Sequence, residues 1–191
     1  VLETVAAAEK SEGTGSSDLR YLRAQACEVL ALRQPPGGPE RRRFLDAALA
    51  DLQVATTPGT VTLIGSLVAG ATSFAGLTRL GTVLLLLGRP IEAASAFESA
   101  LVARPEHEEA QLGRVEAALQ SGDVGRAWAL VKPLLGAGRD AWLLAAAIAH
   151  ASGQSASART LLDRARAPGL PHYLALHRRE REAALGAAIP S

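Results

Sequence analysis

Apolar residues in the middle of the chain recur three and four positions apart, the spacing that gathers a stripe on one face of an α-helix. The stripes come in pairs punctuated by glycine. Gly88, Gly122 and Gly153 each close an Ala/Leu-rich stretch, and they lie 34 and 31 residues apart. Five residues after each glycine stands an alanine: Ala93, Ala127 and Ala158. Phe97, Val131 and Leu162 come four positions later, then Ala100, Leu134 and Ala165 three later still. Leu77, Leu80 and Leu84 precede the first glycine, and Trp142, Ala145 and Ala149 precede the third. Each unit therefore predicts two amphipathic helices joined by a turn in which glycine takes a left-handed cap without a Cβ penalty. Alanine at fixed places lets the two helices close up, and the larger residue fills the space beside them. One such pair cannot bury its own stripe, so pairs must stack.

The flanks are less regular. Leu19–Leu32 has a helical period with Asp18 as N-cap. Gln34-Pro35-Pro36-Gly37-Gly38-Pro39 is a break, and Glu40–Ala55 predicts a partner helix. Ala48, Leu52 and Ala55 stand in the same relation as Ala93, Phe97 and Ala100. Residues 18–73 thus read as irregular N-terminal helices holding a degenerate repeat. Residues 1–17, which end in a Ser/Gly-rich run, read as a flexible segment. His172–Ala187 predicts a final helix rich in Arg and Glu, so 170–191 reads as a capping helix and tail. Val61–Thr78 carries no charge and has the length of a membrane span. Its Gly, Ser and Thr residues, and the lack of a flanking basic cluster or aromatic belt, argue for an interior helix instead. An added half-repeat is expected over 61–73.

Leu77, Leu80, Gly81, Leu84, Gly88, Ala93, Phe97, Ala100 and Pro105 give the segment Phe74–His107 a pattern that resembles a tetratricopeptide repeat. The unit Glu108–Gly138 departs from it: Arg114 and Val115 stand where the family prefers Leu and Gly, and no proline closes the unit. Arg139–Gly169 keeps Trp142, Gly153, Ala158, Leu162 and Ala165, with Pro168 nearby. The three helix pairs span 74–169. The resemblance implies an all-α fold, an α-solenoid of stacked antiparallel helix pairs with a C-terminal capping helix. It further implies a concave groove lined by the first helix of each pair. Carried over position by position, the groove residues are Ala75, Thr78, Thr82 and Leu85, then Glu109, Leu112, Glu116 and Leu119, then Asp140, Leu143, Ala147 and His150. This groove is apolar with a few acidic groups. It lacks the Lys and Asn of the family's carboxylate-clamp members, since the chain has no Asn and neither Lys10 nor Lys132 falls in it. The expected ligand is a protein or peptide partner, presented as an apolar helix or an extended segment. The chain's own last helix, or another domain, is the alternative occupant.

Composition sharpens this reading. Of 191 residues 39 are Ala and 30 are Leu, while aromatics are 4%, which excludes a strand-rich sandwich or barrel. A net charge of +1 gives no general attraction for nucleic acid. Arg41-Arg42-Arg43, and Arg178, Arg179 and Arg181 interleaved with Glu180 and Glu182, read as solvated helix faces. Cys27 alone cannot form an internal disulfide and reads as a small core residue. No phosphate loop, zinc-protease or nucleophile-elbow motif is present, and His172 and His177, five apart, face different sides of a helix. Catalytic residues, cofactors and metal ligands are therefore not expected. The predicted function is a non-enzymatic scaffold or adaptor. The alternative is an accessory region of a larger multidomain enzyme, for example a bacterial glycosyltransferase, because the chain begins at Val1 rather than at Met and reads as part of something longer. Neither nucleic acid nor membrane is an expected partner. Homo-oligomers stay open, through the solenoid ends or the 61–78 stretch. The compartment is open too, with the cytoplasm slightly favoured over the periplasm.

Overall fold

In the computed structural model, residues 17–57, 72–167 and 175–189 are described. They form nine α-helices and no strand. In chain order these are α1 (Ser17–Leu32), α2 (Pro39–Ala55), α3 (Phe74–Leu86), α4 (Pro90–Ala103), α5 (Glu108–Gln120), α6 (Val124–Val131), α7 (Arg139–Ala151), α8 (Ser155–Arg166) and α9 (Leu176–Ala188). A 3-10 turn, Lys132–Leu134, follows α6. The chain divides into two compact units, residues 1–110 and 111–191, and the boundary falls in the first turn of α5. Residues 61–71, the greater part of the uncharged 61–78 stretch and of the half-repeat expected over 61–73, lie outside the described residues, as do 168–174. Among the described residues no helix is long and apolar enough to cross a membrane.

The helices are antiparallel neighbours because their turns are alike. Gly88, Gly122 and Gly153 have φ of +72°, +78° and +74°. At each, the glycine N–H donates to the carbonyl three residues back and the following N–H to the carbonyl five back. Gly88 bonds Leu85 and Arg89 bonds Leu84, at 3.0 and 2.9 Å. Gly122 and Asp123 repeat this on Leu119 and Ala118, and Gly153 and Gln154 on His150 and Ala149. This is the Schellman arrangement, and it satisfies carbonyls that a helix end leaves orphaned. The next helix starts at once. Pro90 opens α4 without needing a hydrogen-bond donor, and Asp123 caps α6 by accepting from the Arg126 amide at 2.9 Å.

In the first unit α1 packs on α2, α2 on α3, and α3 on α4. Ala48, Leu52 and Ala55 are wholly buried, as are Ala93, Phe97 and Ala100 to within 1%, so α2 uses the small–large–small device of α4. Asp18 is itself part of α1 rather than a cap ahead of it. Charged groups are drawn into this unit in pairs. Asp51 of α2 accepts from Arg23 and lies 3.4 Å from Arg20, and Arg79 of α3 pairs with Glu28 while lying over the Tyr21 ring. At its far end, Phe74 meets His107 edge-on and Arg104 lies 5.0 Å over the Phe74 ring.

The second unit has two apolar clusters. Leu112, Val115 and Ala118 of α5 pack with Ala127 and Val131 of α6 and with Ala141, Leu144, Ala145 and Ile148 of α7. The other face of α7 presents Leu143, Ala146, Ala147 and Ala149 to Ala158, Leu162 and Ala165 of α8. α7 is buried on nearly every side, which its alanine content permits. α6 is only eight residues long because Pro133 cannot continue it, and Leu134 is consequently half-buried. Trp128 of α6 stays 41% exposed, and Trp142 of α7 lies 5.1 Å under the Arg164 guanidinium.

Candidate interaction site on the second unit

Spacing places the residues singled out in α5 and α7 on one stripe of each helix. Leu112, Glu116 and Leu119 are four and three apart; Asp140, Leu143, Ala147 and His150 are three, four and three apart. Two of these are carboxylates in an otherwise apolar surrounding, at 1% exposure for Glu116 and 4% for Asp140. Buried carboxylates need partners, and both find them in α9.

Arg178 of α9 is fully buried. Its Nη1 donates to Asp140 Oδ2 at 2.7 Å and its Nη2 to Glu116 Oε2 at 3.2 Å. His177 Nε2 lies 3.0 Å from the same Glu116 oxygen, and Arg181 Nε lies 3.4 Å from Glu116 Oε1. The Ala175 amide donates to Asp140 Oδ2 at 3.3 Å, just ahead of the helix. Burial alone would push the Glu116 carboxyl up, but Arg178, then His177 and Arg181, outweigh it and hold the group well below the usual carboxylate range. Seven and eleven residues beyond Arg178, Leu185 and Ile189 join the cluster of Leu143, Ala147, Ala158 and Leu162. Arg166 at the end of α8 reaches Glu182 at 3.0 Å on the rim.

Of the expected groove positions in this unit, Leu112 lies in the interior between α5, α6 and α7, and Leu143 and Ala147 lie in the cluster that receives Leu185. Leu119 and His150 are half-buried, and the His150 Nδ1 is enclosed with no hydrogen-bond partner. In the first unit Thr78, Thr82 and Leu85 are buried, while Ala75 and Glu109 are half-buried. The Thr78 hydroxyl donates to the Phe74 carbonyl at 2.7 Å and Thr82 to the Thr78 carbonyl at 3.2 Å. Their polarity is spent on their own helix.

The arginine clusters are not uniformly solvated faces. Arg178 is enclosed by two carboxylates, and Arg41 is 6% exposed with its guanidinium toward the Gln34 carbonyl, whereas Arg42, Arg43 and Arg179 are exposed. Sequence reasoning missed Arg178 because alternating Arg and Glu looks like a wet surface. A signal was nonetheless there: Arg178, Arg181, Leu185 and Ile189 lie three, four and four apart, a stripe on one face.

A separate cleft of about 420 Å³ opens between α6, α7 and α8 beside Trp128, Ile148 and Leu161, and its lining includes no titratable side chain. Among the described residues no three His, Cys, Asp or Glu side chains are grouped as a metal site requires. Compared with known proteins, residues 84–142 match the family model described as tetratricopeptide repeat. No curated protein matches the chain.

Proposed function

We propose, from the premise that residues 84–142 belong to the tetratricopeptide repeat family, that this chain is a non-enzymatic adaptor that grips a helical protein segment on the α5–α7 face of its second unit. Repeats of this family are protein-interaction modules. The reading is carried by one observation: Glu116 and Asp140, buried in an apolar stripe, are arranged to receive a cation from a helix laid across them, and Arg178 of α9 occupies that place. A helix bound in a groove uses apolar anchors for affinity and a few polar contacts for register, and this face has both kinds.

The test is site-specific photocrosslinking in the full chain. A photoreactive residue is placed at Leu119 or His150, both half-buried on this face. Control positions are Ile91 and Val102, which are 80% and 86% exposed on α4. Crosslinks to one partner segment from Leu119 and His150, and none from the controls, are expected. Crosslinks that form only at the α4 positions would defeat the proposal.

A further inference from the structure

α9 is an unusual occupant of its site. Only Arg178 and Leu185 within the helix are buried, with Ile189 just after it, whereas α7 buries nine residues. The rest of α9 is largely wet: Arg179, Ala183, Ala184, Gly186, Ala187 and Ala188 are exposed. The attachment thus leans on the Arg178–Glu116–Asp140 cluster. Such a buried cluster is demanding in geometry yet weak as a net source of stability, because desolvation of the charges offsets most of their attraction. The planar fork of an arginine is what satisfies two carboxylates at once. The Arg166–Glu182 pair that lies over the rim is exposed enough to hold little. A second helix with the same cation and the same apolar spacing would therefore keep the two anchors on which α9 leans, and give up the flanking contacts of His177 and Arg181 to Glu116.

Resting on the adaptor reading above, we propose that α9 is a built-in pseudo-ligand that closes the α5–α7 face until displaced. The partner it yields to is a helical segment carrying an arginine with a leucine seven residues further on, the spacing of Arg178 and Leu185. The two buried carboxylates select the arginine, and Leu143 with Ala147 takes the leucine.

Two measurements on the full chain test this. Amide hydrogen exchange of the wild type should show α9 exchanging at least about 100-fold faster than α7, as a unit that opens by itself. Exchange of α9 only together with α7 would make it an integral cap and overturn the proposal. Next, a labelled synthetic peptide of residues 175–189 is titrated against the wild type and against Leu185→Asp, which loosens α9 without touching the carboxylates. The peptide should bind Leu185→Asp at least ten-fold tighter than wild type, and an Arg178→Met version of the peptide should lose at least ten-fold. Equal binding to both chains, or indifference to the arginine, would overturn it. Should Leu185→Asp fail to fold, Leu185→Ala serves, and the exchange measurement needs no variant. If the peptide fails while crosslinks still form at Leu119 and His150, only the role of α9 falls; if the crosslinks fail while the peptide exchanges, the adaptor reading falls.

Discussion

Gly81 offers the sharpest test of how the first unit is packed. It lies in the middle of α3, and a Cβ built on it would stand 2.7 Å from two atoms of the Phe97 ring and 2.9 Å from a third. Ordinary carbon contacts are about 3.5–4.0 Å, so the ring would have to withdraw by roughly 1 Å. Phe97 is 1% exposed, between Ala93 and Ala100 at 0%, so it has no open side to move toward. Overpacking of this kind costs about 1–3 kcal/mol. Gly81→Ala also gains about 0.8–1 kcal/mol of helix propensity. The two oppose, and the clash should win by about 1 kcal/mol. In a Phe97→Leu background the clash is gone and only the propensity gain remains, so the same change should become stabilising. The assay is urea unfolding followed by circular dichroism on the four members of the cycle, with the coupling taken as the non-additive part. A Gly81→Ala chain more stable than wild type, or a coupling under about 0.5 kcal/mol, would show that the ring yields freely and that the contact does not constrain this position.

Arg178→Ala should strip hydrogen-exchange protection from α9 while α7 keeps its own, at a cost to the second unit no larger than the ~3–5 kcal/mol of a broken buried pair, since lifting α9 rewets the carboxylates. Glu116 is held below its ordinary value of 4.5, so its contribution is present above that pH and is lost as the pH falls; the stability difference between wild type and Glu116→Gln should shrink as the pH falls below 4.5 in acid titrations followed by urea unfolding. Cys27 has its thiol pushed up by burial, with Asp51 reinforcing and Arg23 opposing, so alkylation in native buffer should be at least about 100-fold slower than in denaturant, and rapid native labelling would contradict its packing. Gly122→Ala, at φ +78°, should cost ~1–2 kcal/mol in denaturant titration, while Gly136→Ala, where a Cβ meets nothing within 4 Å, should stay within about 0.5 kcal/mol.

The helix pairs and their turns are legible in the residues because each depends on neighbours a few positions away. Gly88, Gly122 and Gly153 mark cap geometry that three or four adjacent residues complete, and the Ala–large–Ala stripes need only the helical period. The relation of Ala48, Leu52 and Ala55 to Ala93, Phe97 and Ala100 was visible for the same reason, despite the Pro-rich break before it. The charge cluster was not legible. Arg178 meets Glu116 and Asp140 across 62 and 38 residues, and the stripe it shares with Leu185 and Ile189 sets it apart from the exposed Arg179 without showing what it meets. Glu116 and Asp140 could be picked out by register within their helices. What they hold is a property of how α9 returns to them.

Both tryptophans, Trp128 and Trp142, belong to the second unit, and the first has none. The chain therefore carries a one-sided optical probe: indole emission follows residues 111–191 alone, while far-ultraviolet ellipticity sums every helix. Gly81→Ala perturbs only the other side. If its emission transition stays where the wild type's is while ellipticity shifts, the two units melt as separate thermodynamic bodies. If both signals move together, destabilisation placed beside Phe97 is felt by an indole that no part of the substitution touches, and the whole chain behaves as one cooperative system.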